Sequence, residues 1–232
     1  MTTAYVIAGG LGTRLRSVVS DVPKPMAIVD GKPFLEYLLN FWISQGVSKF
    51  IISVSYMYNK VIDYFGDNFK GVNLEYFIEE EPMGTGGGLI QIVKNLSETF
   101  VVINGDTFFE ISLNELKSFK HKTQADLVIA LFKTSDKKRY GQVLLNEFNQ
   151  VNGFYNSETK YSKLSNGGVY LVDPLIFKKT SLKFNTKCSF EKNILPTLIK
   201  QGFNIFGFQH SGKFIDIGLP EDYKRASNFL KI

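Results

Sequence analysis

The sequence predicts an α/β fold, a mixed, mostly parallel sheet flanked by helices, and three observations carry that expectation. Strand-like apolar runs alternate along the chain with segments of helical periodicity. The runs are almost continuously hydrophobic, as strands covered on both faces are. The first of them, Tyr5-Val6-Ile7, passes directly into a glycine-rich turn, "AGGLGTRLRSVVSDVPKP" (8–25).

Taken in order, strands are expected at 4–8, 49–55, 73–78, 99–104 and 125–132, with helices between them at 33–46, 59–66, 87–96 and 112–122. In "PFLEYLLNFWISQG" (33–46), Phe34, Leu38, Phe41 and Trp42 fall on one helical face and form a core stripe. Pro33 suits the opening of that helix and Gly46 its close. The second half adds strands at 141–146, 167–172 and 204–209 and helices at 189–202 and 220–230. The last of these begins with Pro220 followed by two acids, Glu221 and Asp222, in its first turn. One domain over 1–232 is expected, with the half beyond residue 124 forming a lid or lobe over the carboxyl edge of the sheet, where ligands of open α/β sheets sit.

Composition removes several classes of function. The chain has 232 residues, 44% of them hydrophobic, and no apolar stretch approaches the ~18 residues of a membrane span. "MTTAYVIAGG" has no basic flank before a long apolar core, so no signal peptide is expected. A single cysteine, Cys188, excludes an internal disulfide, suits a reducing cytoplasm and reads as a small apolar filler. The net charge of +5 is modest: it helps attract a small polyanion, while most lysines read as solvated surface. No basic block interleaved with aromatics points to nucleic acid.

The glycine turn is where chemistry first shows. Gly9, Gly10 and Gly12 let backbone N–H groups approach an anion closely, so the segment Ala8 to Thr13 reads as a phosphate cradle, with a plain tight turn as the alternative. It is not the dinucleotide pattern, which fits Gly10 and Gly12 and fails at Leu15. "GFQHSGKF" (207–214) resembles a P-loop but has Phe214 where a hydroxyl should hold magnesium. Two cations flank the turn. Arg14, with its fixed fork of donors, suits the tail phosphates of a triphosphate. Lys24 lies between Pro23 and Pro25, which predicts an extended backbone and an ammonium aimed at developing charge at little entropic cost.

"GGLGTRLRSVVSDVPKPM", "EEEPMGTGGGL", "VVINGDTFFE", "RYGQV", "NGGVYLVDP" and "FIDIGLPEDY" occur in this order over nearly the whole chain. Together they resemble the sugar-nucleotide pyrophosphorylases, a nucleotidyltransferase family, and within it most of all the D-glycero-D-manno-heptose 1-phosphate guanylyltransferase branch. The resemblance implies a Rossmann-like sheet of the nucleotide-diphospho-sugar transferase type, with residues 1–124 as nucleotide-binding half and 125–232 as sugar-binding half. It implies a Mg²⁺-dependent reaction in which an NTP, here GTP, and a sugar 1-phosphate give an NDP-sugar and pyrophosphate. Arg14 and Lys24 would then be catalytic, and a homodimer is compatible with the family.

Two aspartates follow apolar strands, Asp106 in "VVINGDTFFE" and Asp216 in "FIDIG". Alone each reads as a turn or cap residue; the resemblance makes them the magnesium ligands, a hard-oxygen pair such an ion accepts. It also places the base over 78–88, with Gly84 beneath it. One of Glu79, Glu80 or Glu81 would accept the N1–H and 2-amino donors of guanine, Glu80 being favoured, against the alternative of a solvated acidic loop. Gly141, Asn166 and Gly167 match positions lining the sugar pocket. Glu191 matches an acid that either meets sugar hydroxyls or orients its helix. One departure stands out: where most relatives carry a Glu-Lys pair for the sugar and its phosphate, this chain has Asn156-Ser157, so Glu158 with Lys160 or Lys163 would have to substitute. Three other readings remain at this stage: a uridylyl- or thymidylyltransferase for a hexose 1-phosphate, a non-catalytic nucleotide-sugar-binding regulator, and an NAD-dependent oxidoreductase.

Overall fold

Strand runs rich in Val, Ile and Phe pair into one ten-stranded sheet in the computed structural model, which describes residues 1–10, 12, 15, 18–134, 136, 140–155, 163–180 and 187–230. In the first half these are β1 (Thr2–Ile7), the two-residue β2 (Ile28–Val29) and β3 (Lys32–Pro33), which form a separate hairpin, β4 (Val47–Val54), β5 (Asn68–Phe69), β6 (Val72–Ile78) and β7 (Phe100–Asn104). Helices α1 (Phe34–Ser44), α2 (Tyr58–Phe65), α3 (Gly84–Ile92) and α4 (Leu113–Thr123) connect and cover them. β7, β1, β4 and β6 run parallel in that spatial order. The chain therefore leaves β1 toward β4 and β6, then returns to lay β7 on the other side of β1. That reversal is a topological switch point, and the crevice at the carboxyl ends of β1 and β7 is where such sheets bind ligands.

Side-chain alternation puts an apolar layer on each face. Ala4, Val6, Phe50, Ile52, Val101 and Ile103 join Phe34, Leu38 and Trp42 of α1 in one buried cluster. Tyr5, Ile51 and Val102 point the other way, into a cluster with Leu89 and Ile92 of α3. The predicted α1 stripe is core, with Phe41 packed edge-on against Trp42. Pro33 caps its start, and Gly46 follows its end with φ +90°. Each fully buried aromatic or leucine here contributes about 1.5–3 kcal/mol of burial.

The second half departs from expectation. β9 (Leu127–Lys133), β10 (Gln142–Leu145), β11 (Val151–Tyr155), β12 (Leu164–Val172) and β13 (Ile205–Gln209) extend the same sheet instead of building a lobe above it. β12 runs antiparallel to both β7 and β9, and β13 pairs β9 in parallel. β9 and β12 are apolar on both faces and are covered on both only as interior strands. Two further three-residue strands, β8 (Thr107–Phe109) and β14 (Phe214–Asp216), form a separate antiparallel ribbon beside α7 (Pro220–Phe229).

Two helices differ from the sequence reading for identifiable reasons. α3 begins at Gly84, three residues early, although glycine is a poor helix former. Packing overrides propensity: a Cβ at Gly88 would lie 2.5 Å from the Tyr5 hydroxyl, and one at Gly86 2.6 Å from Ile194 Cδ1. The 189–202 segment is split into a π-helical turn, Phe190–Ile194, and α6 (Leu195–Lys200). Pro196 has no N–H to return to the preceding turn, so the α-helical ladder cannot run through it. The short α5 (Leu175–Lys179) completes the α-helices of the described residues.

Candidate active site

The glycine turn is anchored where β1 and β7 end. The Ala8 N–H donates to the Ser53 carbonyl at 3.0 Å, and the Gly105 N–H to the Ile7 carbonyl at 2.9 Å. Gly12 has φ +58°, and a Cβ there would come 3.0 Å from Lys24 Cβ, so glycine lets the turn lie directly on the lysine stem. Above the turn opens a cavity of about 430 Å³, lined among others by Ala8, Gly9, Gly10, Gly12, Lys24, Gly84 and Asp106. Most of the nucleotide-site residues expected from the sequence thus meet in one place. Thr13 and Arg14 lie outside the described residues.

Lys24 is held differently from the extended geometry its prolines predict. Pro23 is the extended residue, with ψ 148°, and Lys24 opens a one-turn 3-10 helix through Met26. The Met26 and Ala27 N–H groups close that turn onto Pro23 and Lys24 carbonyls at 2.7 and 3.0 Å. Pro25 has no donor to lose there, and all three turn residues are buried, which outweighs the usual bias against helical backbone before proline. The side chain is only 8% exposed, and its ammonium is ion-paired with Asp106 and lies 3.6 Å from Asp216 Oδ1.

The two aspartates meet although they are far apart in sequence. Asp106 leaves β7 through Gly105, and β14 zips onto β8 with Asp216 opposite Thr107. The Ile217 N–H donates to the Asp106 carbonyl at 3.0 Å, and the Gly218 N–H to Asp216 Oδ1 at 2.6 Å, fixing both carboxylates on the same lysine. Two carboxylates and one ammonium leave a formal surplus of one negative charge. These two acids, meeting on one lysine, could hold a divalent cation between them; no cluster of three or more metal-ligating side chains forms among the described residues.

Of the three consecutive glutamates, Glu79 is buried, whereas Glu80 and Glu81 are exposed. Glu80, favoured on sequence, lies outside the cavity lining; Glu79 is part of it. Backbone pairing continues one residue past β6, with the Glu79 N–H on the Val54 carbonyl at 2.8 Å, and the alternation of the strand turns Glu79 inward. Its Oε1 accepts from Ser53 Oγ at 2.5 Å and its Oε2 from the Met83 N–H at 2.8 Å. Ser53 in turn contacts the Tyr5 phenol, which burial pushes well above its ordinary range. The carboxylate is thus fixed and still keeps lone pairs free.

Gly84 sits at φ +73°, and a Cβ there would fall 2.5 Å from the Cys188 carbonyl oxygen. The same carbonyl accepts from the Gly86 N–H at 2.9 Å, and the Cys188 N–H donates to Met83 at 3.0 Å. Gly84→Ala is therefore expected to cost about 1–3 kcal/mol, seen as a lower midpoint in thermal unfolding, and to raise the nucleotide KM by displacing the loop.

Two of the residues expected on the sugar side, Asn166 and Glu191, belong to one hydrogen-bond network. Asn166 Nδ2 donates to the Tyr170 hydroxyl at 2.6 Å, and that hydroxyl donates to Glu191 Oε1 at 3.2 Å. Burial raises the Tyr170 phenol well above its usual range, so it remains a donor. Glu191 Oε2 accepts from Thr85 Oγ1 at 2.8 Å and Ser189 Oγ at 2.9 Å. Of its two sequence roles, this geometry fits the orienting one. Gly167 packs against the Phe109 ring, and Gly141 is exposed just before β10. None of Gly141, Asn166, Gly167 and Glu191 belongs to the cavity lining, nor does Asp216, which reaches it through Lys24. Lys163 is exposed; Asn156, Ser157, Glu158 and Lys160 lie outside the described residues. The lining adds three polar side chains not singled out from the sequence, Thr85, Asn104 and Lys187. Asn104 stands two places before Asp106 in a quoted motif; Lys187 carries no local signal.

A glycine cradle at a switch point, a buried ammonium and two converging carboxylates define an α/β enzyme site for phosphate-bearing ligands. The chain belongs to the nucleotidyl transferase family, whose model matches residues 3–231. It is 40% identical to the D-glycero-α-D-manno-heptose 1-phosphate guanylyltransferase of Campylobacter jejuni, over 95% of this chain and 96% of that protein. Identity to the enzyme of the same name from Aneurinibacillus thermoaerophilus is also 40%, over 98% of each chain. The crystal structure of HddC from Yersinia pseudotuberculosis complexed with GMP-PN superposes over 100% of both chains, with a TM-score of 0.84 and 36% identity.

Proposed function

We propose that this protein is a guanylyltransferase that joins GTP to D-glycero-α-D-manno-heptose 1-phosphate and releases pyrophosphate. A phosphate oxygen of the sugar 1-phosphate attacks the α-phosphorus of GTP, the bond to the β-phosphate oxygen breaks, and GDP-heptose forms. Such chemistry needs alignment and charge neutralisation more than a protein nucleophile. The observation that carries the reading is the Lys24 ammonium, buried between Asp106 and Asp216 at the foot of the glycine cradle. The activities of the relatives support the choice of nucleotide and sugar.

In this reading the backbone of Gly9, Gly10 and Gly12 holds the phosphates, and Arg14 and Thr13 extend that hold to the departing pyrophosphate. Lys24 offsets the negative charge that grows on the α-phosphoryl group. The surplus negative charge and hard oxygens of Asp106 and Asp216 fit a magnesium ion, which takes few protein ligands. When bound, the ion would supply Lewis-acid neutralisation of the phosphate oxygens. Glu79, not Glu80, reads the base: its remaining lone pairs face the N1–H and 2-amino donors of guanine above Gly84. Lys187, on the cavity rim, adds a positive charge for a phosphate-bearing ligand. A cytoplasmic location is supported by the lone cysteine; no helix of the described residues is long and apolar enough to cross a membrane.

Pyrophosphate release measured with GTP, UTP, CTP and dTTP against heptose, mannose and glucose 1-phosphates tests the proposal. GTP with the heptose phosphate should give the highest kcat/KM; a preference for UTP or dTTP with glucose 1-phosphate overturns it. Glu79→Gln should lose one of two charge-assisted hydrogen bonds to guanine and raise the GTP KM about 10- to 100-fold, while Glu80→Gln leaves it unchanged.

A further inference from the structure

Asn104 lines the cavity and takes no part in the steps above. It is the last residue of β7, in register with Ile7 where the glycine turn begins. Its carboxamide oxygen is buried and has no hydrogen-bond partner among the described residues. An unpaired buried carbonyl costs folding free energy that an apolar side chain of the same shape would not. Structure alone therefore gives no reason for an amide at this position.

The surroundings place the amide in the cavity. A Cβ at Gly168 would fall 2.9 Å from Asn104 Nδ2 and 2.6 Å from Thr107 Oγ1, so the absence of a side chain at 168 is what leaves room for the amide. The Gly168 N–H donates to Asn166 Oδ1 at 3.0 Å, joining Asn104's neighbour to the Asn166–Tyr170–Glu191 network. Glu79 and Gly84, which take the base, follow β6, on the far side of β1 and β4 from β7. Asn104 thus lies at the end of the cavity away from the base, against β12. A carboxamide accepts through oxygen and donates through nitrogen, the complement of a hydroxyl, which does both.

We propose that Asn104 is a specificity-determining residue that hydrogen-bonds a hydroxyl of the sugar 1-phosphate; the inference rests on the guanylyltransferase reading above. The test is Asn104→Leu, which keeps the number and branching of the side-chain heavy atoms and removes the polar ones. KM for the heptose 1-phosphate should rise about tenfold, the GTP KM should stay within twofold, and the thermal midpoint should hold or rise because the unpaired carbonyl is gone. Among monodeoxy analogues of the heptose 1-phosphate, one should lose as much with the wild type as the substitution does, and lose nothing further with the variant.

A sugar KM within twofold of wild type overturns the inference. So does a shift confined to the GTP KM, which would assign the amide to ribose, and so does a lower midpoint with both KM values unchanged, which would assign it to folding. These three outcomes leave the guanylyltransferase reading standing if the wild type turns over GTP and heptose 1-phosphate. A wild type inactive with that pair overturns both.

Discussion

Lys24→Ala is expected to lower kcat for pyrophosphate release by about 10²–10³-fold with a much smaller change in the GTP KM. The ammonium is buried on a one-turn helix whose residues are all packed, so no solvent reorganisation is needed to bring it to charge developing on the phosphoryl group. Its removal also leaves Asp106 and Asp216 facing each other without a counter-charge. Taking one partner from a fully buried pair costs about 3–5 kcal/mol. Asp106 is 35% exposed and Asp216 17%, so water relieves part of this, and a lower melting midpoint short of unfolding is expected. Lys24→Met separates the effects, since it keeps the stem that packs under Gly12 and removes only the charge. Both variants should be slow to similar degrees, with Lys24→Met the better folded. A folded Lys24→Met with near-normal turnover removes Lys24 from the chemistry.

Much of this site is legible in the sequence because its parts are local. The glycine turn and Asp106 each follow a strand that its apolar run announces, Lys24 stands between two prolines in the same quoted motif, and β1 and β7 carry their turns to the same edge. The extended reading of Lys24 fails because two backbone hydrogen bonds and burial decide the conformation, and neither is visible in a Pro-Lys-Pro spacing. That Glu79 rather than Glu80 lines the cavity is hidden for a related reason. Three adjacent glutamates are equivalent until one knows that backbone pairing runs one residue past β6 and turns the first of them inward. Asp216 is placed by a three-residue ribbon, too short to leave a periodic signal, and Lys187 by backbone pairing of Cys188 with Met83 and Gly86. The second half reads as a lobe because its loops are long. Its strands join the main sheet because β9 and β12 have two apolar faces to cover, a property present in their sequence but without an address.

Asp216→Asn should separate the proposed metal role from plain electrostatic support of Lys24. The substitution keeps size and shape, and the amide oxygen can still accept the Gly218 N–H that now reaches Asp216 Oδ1 at 2.6 Å. The fold of the 216–218 turn should therefore survive, with a thermal midpoint within a few degrees of wild type. What changes is charge: the cluster passes from a surplus of one negative charge to neutrality, and one hard anionic oxygen is lost. If the aspartates hold a magnesium ion, its hold weakens at the same time as its Lewis-acid effect, worth several kcal/mol on a phosphoryl transition state. A loss of about 4 kcal/mol corresponds to about 10³-fold in kcat/KM. The magnesium concentration for half-maximal rate should rise at least tenfold, and Asp106→Asn should behave alike because both carboxylates meet the same ammonium. If the aspartates served only to orient Lys24, turnover would fall in both variants with the magnesium titration unmoved. A titration curve that coincides with wild type in both variants would therefore retain the lysine and discard the metal site.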